Sequence, residues 1–231
     1  SLALSELAER TLQSVDLVLE SVGEKLRPEF SGADPSELAN HEHHIFLKEK
    51  MAGLPQIDAL GVIDAQGNRL NLSRDWPSAK ADLSQREYFK ELSANPKPTS
   101  FISSPVQAAS SGVWVVIIAR PILGNDGKFQ GVVFASISLE YFEDMFRSTS
   151  LGEGYAASLV RQDGTLLARF PRAGTIGMKA TVTVFPRPTA ARAAASRAIS
   201  PVDHQTRIAA AYRLLDYPVA VITTQSDATA F

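Results

Sequence analysis

The sequence predicts an α+β fold in which a long N-terminal helix precedes two β-rich units, each an antiparallel sheet flanked by helices. Three observations carry that expectation. Apolar residues recur at alternating steps of three and four from Leu4 to Leu26, strand–turn–strand patterns fill the stretch from Ile57 to Ile137, and an abbreviated version of the same plan follows from Ala156 to Thr224. At 231 residues the chain can bury roughly 70% of its unfolded surface, enough for a core without covalent staples.

In the first helix Leu4, Leu7, Ala8, Leu12, Val15, Leu19, Val22 and Leu26 share a face, with Glu6, Glu9, Arg10, Glu20 and Lys25 between them. Pro28 biases Arg27 away from helical backbone and predicts an end there, after roughly 40 Å. Such a helix docks on the chain's own sheet, on a second copy of itself, or on each along different parts. Asp34-Pro35-Ser36-Glu37 announces a second helix, with a capping aspartate, a proline suited to the first turn and a glutamate able to reach back; Gly53 and Pro55 close it. His41-Glu42-His43-His44-Ile45 begins like the zinc-protease pattern HExxH but has Ile45 in place of the second ligand, so three solvated histidines are expected and no metal site.

Ile57–Asp64 and Arg69–Leu72 read as strands around the turn Ala65–Asn68. The polar loop Ser73–Ala81 carries Trp76-Pro77. A short helix with Asp82 or Ser84 as its cap then holds Arg86, Tyr88, Phe89 and Leu92 and stops at Asn95-Pro96. Phe101–Ala108 is a strand expectation, and Val113–Ala119 with Val132–Ile137 forms a hairpin around the Gly124–Gly127 turn. A helix over Glu140–Arg147 ends the first unit. The second is expected to contain strands at Ala156–Arg161, Leu166–Phe170, Thr181–Phe185, Arg207–Leu215 and Val219–Thr224, with an Ala-rich helix near Thr189–Arg197. The corresponding boundaries are 1–53 for the N-terminal helices, 54–148 for the first module and 149–231 for the second.

Composition excludes several functions. Net charge is −2 and the 23 basic residues are scattered singly, so nothing marks a nucleic-acid surface. Cysteine is absent, which removes disulfides and thiolate metal sites. No run reaches the ~20 apolar residues of a membrane span. The chain starts at Ser1 without methionine or signal peptide, and the expectation is a piece of a longer protein. Nucleophile-elbow, P-loop and paired-carboxylate motifs are missing, and Gly152-Glu153-Gly154 precedes a strand where a dinucleotide fingerprint must follow one. No cofactor and no catalysis are expected.

Period-two alternation places Trp114, Val116, Ile118 and Arg120 on one face of the first hairpin strand. Arg86 and Arg120 suit bidentate carboxylate recognition, with Trp114, Tyr88 and Phe134 as aromatic walls. Each has a plain alternative: the arginines pair with Asp82, Glu87 or Asp126, and the aromatics fill the core.

The order of Asp82-x-Ser84-x-Arg86-Glu87-Tyr88-Phe89, Ser104-Pro105, Gly112-x-Trp114 to Arg120-Pro121, Asp126-Gly127-x-Phe129-x-Gly131, Asp163-Gly164-Thr165-Leu166 and Tyr212-Arg213-x-Leu215-x-x-Tyr217-Pro218 resembles the extracytoplasmic double Cache domains of bacterial histidine kinases, diguanylate cyclases and chemoreceptors. These are two PAS-like modules in tandem, and the resemblance covers nearly the whole chain. It implies a periplasmic sensor of an inner-membrane receptor, transmembrane helices flanking it in the full-length protein, a homodimer through the N-terminal helix, and a small-molecule ligand in the membrane-distal module. In amino-acid-binding members an Arg-x-Trp-Tyr element holds the ligand carboxylate and an aspartate on the last distal strand holds the amine. Here the first reads Arg86-Glu87-Tyr88-Phe89, and Ser136 or Ala135 stands at the second place. The expected site is therefore Arg86, Tyr88, Phe89, Trp114, Val116, Arg120, Phe134 and Ser136, for a small carboxylate or another anionic or neutral metabolite. Whether Ser136 faces the side of Trp114 depends on the hairpin register, which the turn does not fix. A second reading is a dimerisation or protein-interaction module with no small-molecule ligand.

Overall fold

A computed structural model describes residues 2–32, 34–109, 111–149, 152–174, 176–179 and 193–227. Two compact units emerge, Gln13–Ser138 (the first) and Ser1–Leu12 with Leu139–Phe231 (the second). The helical segment 1–53 thus divides between them.

Helix α1 (Leu2–Gly32) buries Leu4, Ala8, Leu12, Val15, Leu19, Val22, Leu26 and Phe30 along one face. Pro28 predicts an end near Arg27, yet it lies inside the helix. Phe30 offers the reason: it is buried, and its ring lies over Gly131, where an added Cβ would meet Phe30 Cε1 at 3.0 Å. Burying a phenylalanine stabilises by about 1.5–3 kcal/mol, close to the roughly 3 kcal/mol a proline costs in a helix interior.

The second helix forms in two parts, a single 3-10 turn at Pro35–Leu38 capped by Asp34 and α2 (His41–Lys50) capped by Asn40. Asn71, fully buried, donates through Nδ2 to Leu38 O and Asn40 O. Leu38 O is thereby held outside the helical ladder, and α2 starts afresh at Asn40, whose carbonyl also accepts the His44 N–H at 3.2 Å. The histidines are not all solvated, because His44 is buried with Nδ1 2.8 Å from Leu72 O and His43 Nε2 lies 2.9 Å from Glu29.

The first unit's strands are β1 (Ile57–Asp64), β2 (Arg69–Leu72), β3 (Phe101–Ile102), β4 (Val106–Gln107), β5 (Trp114–Leu123) and β6 (Phe129–Ser138), with α3 (Glu87–Ala94) between β2 and β3. They form an antiparallel sheet in the order β2-β1-β6-β5-β3, β4 also pairing with β5. The single strand expected over Phe101–Ala108 is broken. Between the Ile102–Ile118 and Val106–Val115 pairs this side takes four residue steps against three on β5, and Ser103 bridges the gap by accepting the Ile117 N–H through Oγ. Pro105 has no N–H to give the ladder.

The second unit contains α4 (Leu139–Ser148) and strands β7 (Tyr155–Arg161), β8 (Leu166–Phe170), β9 (Ala193–Ile199), β10 (Thr206–Arg213) and β11 (Val219–Ser226), ordered β8-β7-β11-β10-β9 and antiparallel throughout. The Ala-rich stretch predicts a helix near Thr189–Arg197, but Ala193–Arg197 lies in β9, paired residue for residue with β10. Ladder pairing overrides alanine's helix preference. The strand expected at Thr181–Phe185 and residues 189–192 of that helix lie outside the described residues.

Candidate ligand-binding site

Each face of β5 does a different job. Ile117 pairs with Ser136 and Ala119 with Phe134, while Ser136 pairs with Ala59 and Phe134 with Gly61 across β1. Ala59, Val115, Ile117, Phe134 and Ser136 therefore share one face, and α3 packs on it through Tyr88, Phe89 and Leu92. Trp114, Val116, Ile118 and Arg120 share the other. Arg120 there reaches α1, with Nη1 2.9 Å from Asp16 Oδ1 and Nη2 donating to Pro98 O at 2.9 Å.

A cavity of about 120 Å³ opens on the first face. Its floor is Ala59, Val115, Ile117, Phe134 and Ser136, its side is Ser103, Ser104, Val106, Gln107, Ala108 and Ala109, and its rim is Arg69, Leu72, Leu83, Arg86, Glu87 and Tyr88. Gly61 allows the ring of Phe134 to lie against the sheet, since an added Cβ would sit 2.3 Å from Phe134 Cζ. The broken β3–β4 edge supplies the side wall.

The rim is held by the β1–β2 turn. Leu83 N–H donates to Gly67 O at 2.7 Å and Arg69 N–H to Ala81 O at 2.9 Å. Gly67 has φ +93° and no room for a Cβ, which would lie 2.6 Å from Ser84 Cα. The position demands glycine. Asp82 accepts from Ser84 N–H at 2.8 Å, and hydrogen bonding from the Ser84 side chain and backbone holds its carboxyl below the usual carboxylate range. That aspartate caps a turn rather than the helix; α3 begins at Glu87 with Arg86 as its N-cap residue, which makes no side-chain cap bond.

Cationic groups dominate the rim. Arg86 is exposed, and among the described residues no hydrogen bond or ion pair engages its guanidinium. Arg69 is half-buried and donates through Nε and Nη2 to Ala79 O. Burial lowers its pKa, opposed by the Asp75 carboxylate and, secondarily, by Tyr88. Burial also raises the Tyr88 phenol to about 12, against the pull of Arg86 and Arg69, so the group remains a neutral donor. The rim carboxylate Glu87 accepts the Ser104 N–H at 2.8 Å and is committed to that wall.

Of the expected residues, Arg86, Tyr88, Phe134 and Ser136 line the cavity. Phe89 is buried behind it, edge-on to Phe129 at 5.7 Å between centroids. Trp114, Val116 and Arg120 do not reach the cavity: they lie on the face turned to α1, and Arg120 forms an ion pair there with Asp16 rather than with Asp82, Glu87 or Asp126. The hairpin contains a register shift between Ile122 and Leu123, which breaks the parity a simple turn would carry. Sequence reasoning missed Arg69, Ser103, Ser104 and Gln107. Another shift between Val62 and Ile63 brings both Arg69 and Leu72 to the rim, and no alternation could have indicated that. Pro105 was the available signal for the broken edge.

The sequence profile described as Cache domain matches residues 3–230. Among solved structures, the extracellular domain of rpHK1S-Z16, assigned as a histidine kinase, is 29% identical, with a TM-score of 0.83 over 99% of this chain and 93% of that one. The periplasmic sensory domain of the Campylobacter jejuni chemoreceptor Tlp1 shares the fold at 12% identity, TM-score 0.74, covering 99% and 93% of the two chains. So does the ligand-binding domain of the Pseudomonas fluorescens chemoreceptor CtaA, solved with L-isoleucine, at 21% identity, TM-score 0.69, covering 99% and 90%. No curated protein matches this sequence.

Proposed function

The chain belongs to the Cache domain family, and from that premise we propose that it is the extracytoplasmic sensor of a membrane receptor, binding a small carboxylate without an ammonium group in the first-unit cavity. The observation that carries this reading is the Arg86 guanidinium at the rim with no partner among the described residues, beside Arg69 and the neutral Tyr88 phenol.

A guanidinium presents paired donors that match the two oxygens of a carboxylate. Below the rim the walls are mostly apolar, suited to a short hydrocarbon tail. An apolar cavity of ~150 Å³ accommodates benzene, so about 120 Å³ suits a ligand of similar or slightly smaller bulk. CtaA is solved with L-isoleucine and the Pseudomonas aeruginosa chemoreceptor PctB with L-Arg, both carrying a carboxylate and an amine. In this cavity Ser136 contributes only a hydroxyl, donated to Ala59 O at 3.3 Å, and Glu87 is committed to Ser104. A buried ammonium would lack its counter-charge, at a cost of several kcal/mol.

Both ends of the chain fall in the second unit, Ser1–Leu12 and Leu139–Phe231. Membrane spans flanking the sensor in the full-length protein would then continue from that unit, making it membrane-proximal and the first unit distal. Among the described residues no helix is long and apolar enough to cross a membrane. Leu7 and Leu17, exposed on α1 at 43% and 66%, support pairing with a second copy. Leu17→Glu should lower the dimer fraction in sedimentation.

The ligand reading is tested by thermal shift with matched pairs, such as leucine and 4-methylpentanoate. The deaminated acid should raise the melting temperature, by about 5–10 °C at a hundredfold excess over its dissociation constant. Stabilisation by the amino acid alone overturns the ligand class. No stabilisation by either series overturns the site.

A further inference from the structure

The second unit repeats the first unit's sheet, and the same face of it holds a charged cluster. In the first unit Leu72 pairs with Gly61 and Val115 with Ser138; at the same places in the second, Arg169 pairs with Ser158 and Arg207 with Ser226. Arg169 is 5% exposed and Arg207 9%. Both guanidinium groups converge on Asp203, in the turn between β9 and β10.

The fit to Asp203 is unequal. Arg207 grips it from the side, Nε lying 3.2 and 3.0 Å from its two oxygens and Nη2 2.9 Å from Oδ2. Arg169 reaches it only through Nη2 at 2.9 Å, while Nη1 donates to Ser158 Oγ at 2.9 Å. Arg169 Nε is buried and has no hydrogen-bond partner among the described residues. Two cations thus share one carboxylate, with one donor of a side-on fork left over. A free carboxylate, not tied to the backbone, can use Nε and Nη2 of Arg169 together.

We propose that the second unit carries a carboxylate site of its own, built by Arg169 and Arg207, which the Asp203 side chain occupies as an internal ligand and which a free formate or acetate fills when that side chain is removed. The first-unit cavity has room for a ligand from solution; the second unit supplies its ligand from the β9–β10 turn. Docking of Asp203 fixes that turn and reserves recognition of solutes for the first unit.

The test is Asp203→Ala in an Arg86→Ala background, which removes the first cavity's unpaired guanidinium and leaves Arg69 tied to Ala79 O, titrated with sodium formate and sodium acetate against sodium chloride at matched ionic strength. Formate or acetate should bind saturably at one site and raise the melting temperature by about 3–6 °C at tenfold excess over the dissociation constant, with chloride inert. Asp203→Asn in the same background loses the charge but leaves no space, and should shift by less than about 1 °C. If Asp203→Ala does not fold alone, the readout is refolding yield, which formate should restore and chloride should not. The proposal is overturned if neither carboxylate stabilises or refolds the Ala variant, or if the Asn variant responds equally.

Discussion

The two units share strand order, pairing register and even the position of the irregular pair in their first hairpins, yet they handle positive charge in opposite ways. In the first, Leu72 and Val115 leave a cavity and the cations stand at its rim, with Arg86 unpaired among the described residues. In the second, Arg169 and Arg207 occupy the corresponding places and Asp203 neutralises them from within. The difference teaches where a ligand site can persist in a duplicated fold. A cation at a wet rim tolerates having no partner, whereas one in the core must be matched by the chain itself.

The largest expected effect is on the second unit's stability. Asp203→Ala leaves the two buried guanidinium groups of Arg169 and Arg207 without their carboxylate, and should cost about 3–5 kcal/mol in urea unfolding. A cost below about 1 kcal/mol would place the pair with weak surface ion pairs and break the contrast. Arg86→Ala probes the other side. Stability should stay within about 0.5 kcal/mol, while calorimetry should show affinity for the stabilising carboxylate falling roughly 10–150-fold, the equivalent of a hydrogen bond to a charged group.

Acid should separate the units further. Burial pushes Asp203 up, but hydrogen bonds from Arg207 and Ser200 and the charges of Arg207 and Arg169 outweigh it, so its folded pKa lies below the ordinary value. Its contribution is therefore complete above the unfolded value of about 3.9 and is lost as pH falls through the folded one. Unfolding followed below about pH 4 should show a steeper loss for the native chain than for Asp203→Asn. The smallest effects belong to the far face of β5. Trp114→Ala and Arg120→Ala should leave carboxylate affinity within about twofold in calorimetry, with Arg120→Ala costing about 0.5–1 kcal/mol of stability through its Asp16 pair. A tenfold affinity loss in either would return the site to that face.

Much of this was readable in advance. The three-four spacing of α1, the Asp163-Gly164 and Gly124–Gly127 turns, and the ordered motifs from Asp82 to Pro218 specify two strand-rich units and their family, because such signals are local and each residue carries its own. Arg86, Tyr88 and Ser136 were legible through the resemblance, and Phe134 as an aromatic wall. Pro28 and the alanines of β9 misled for one reason: a local preference of a few kcal/mol or less yields to Phe30 packing on Gly131 or to a continuous ladder with β10.

By itself, then, the sequence determined the long helix, the tandem sheets, the absence of cysteine chemistry and the arginine that opens α3. Tertiary structure alone decided which face of β5 lines a cavity. Val115 to Ala119 is buried on both sides, so no alternation marks one side as the pocket; the shift at Ile122 and the docking of α1 on the Arg120 face make that choice. It also decided which of these cations has no partner among the described residues. Arg86, Arg120 and Arg169 look alike in sequence, and only their neighbours in space, Asp16 for one and Asp203 for another, settle their charge balance, because the Coulomb interaction depends on separation and burial rather than on order along the chain.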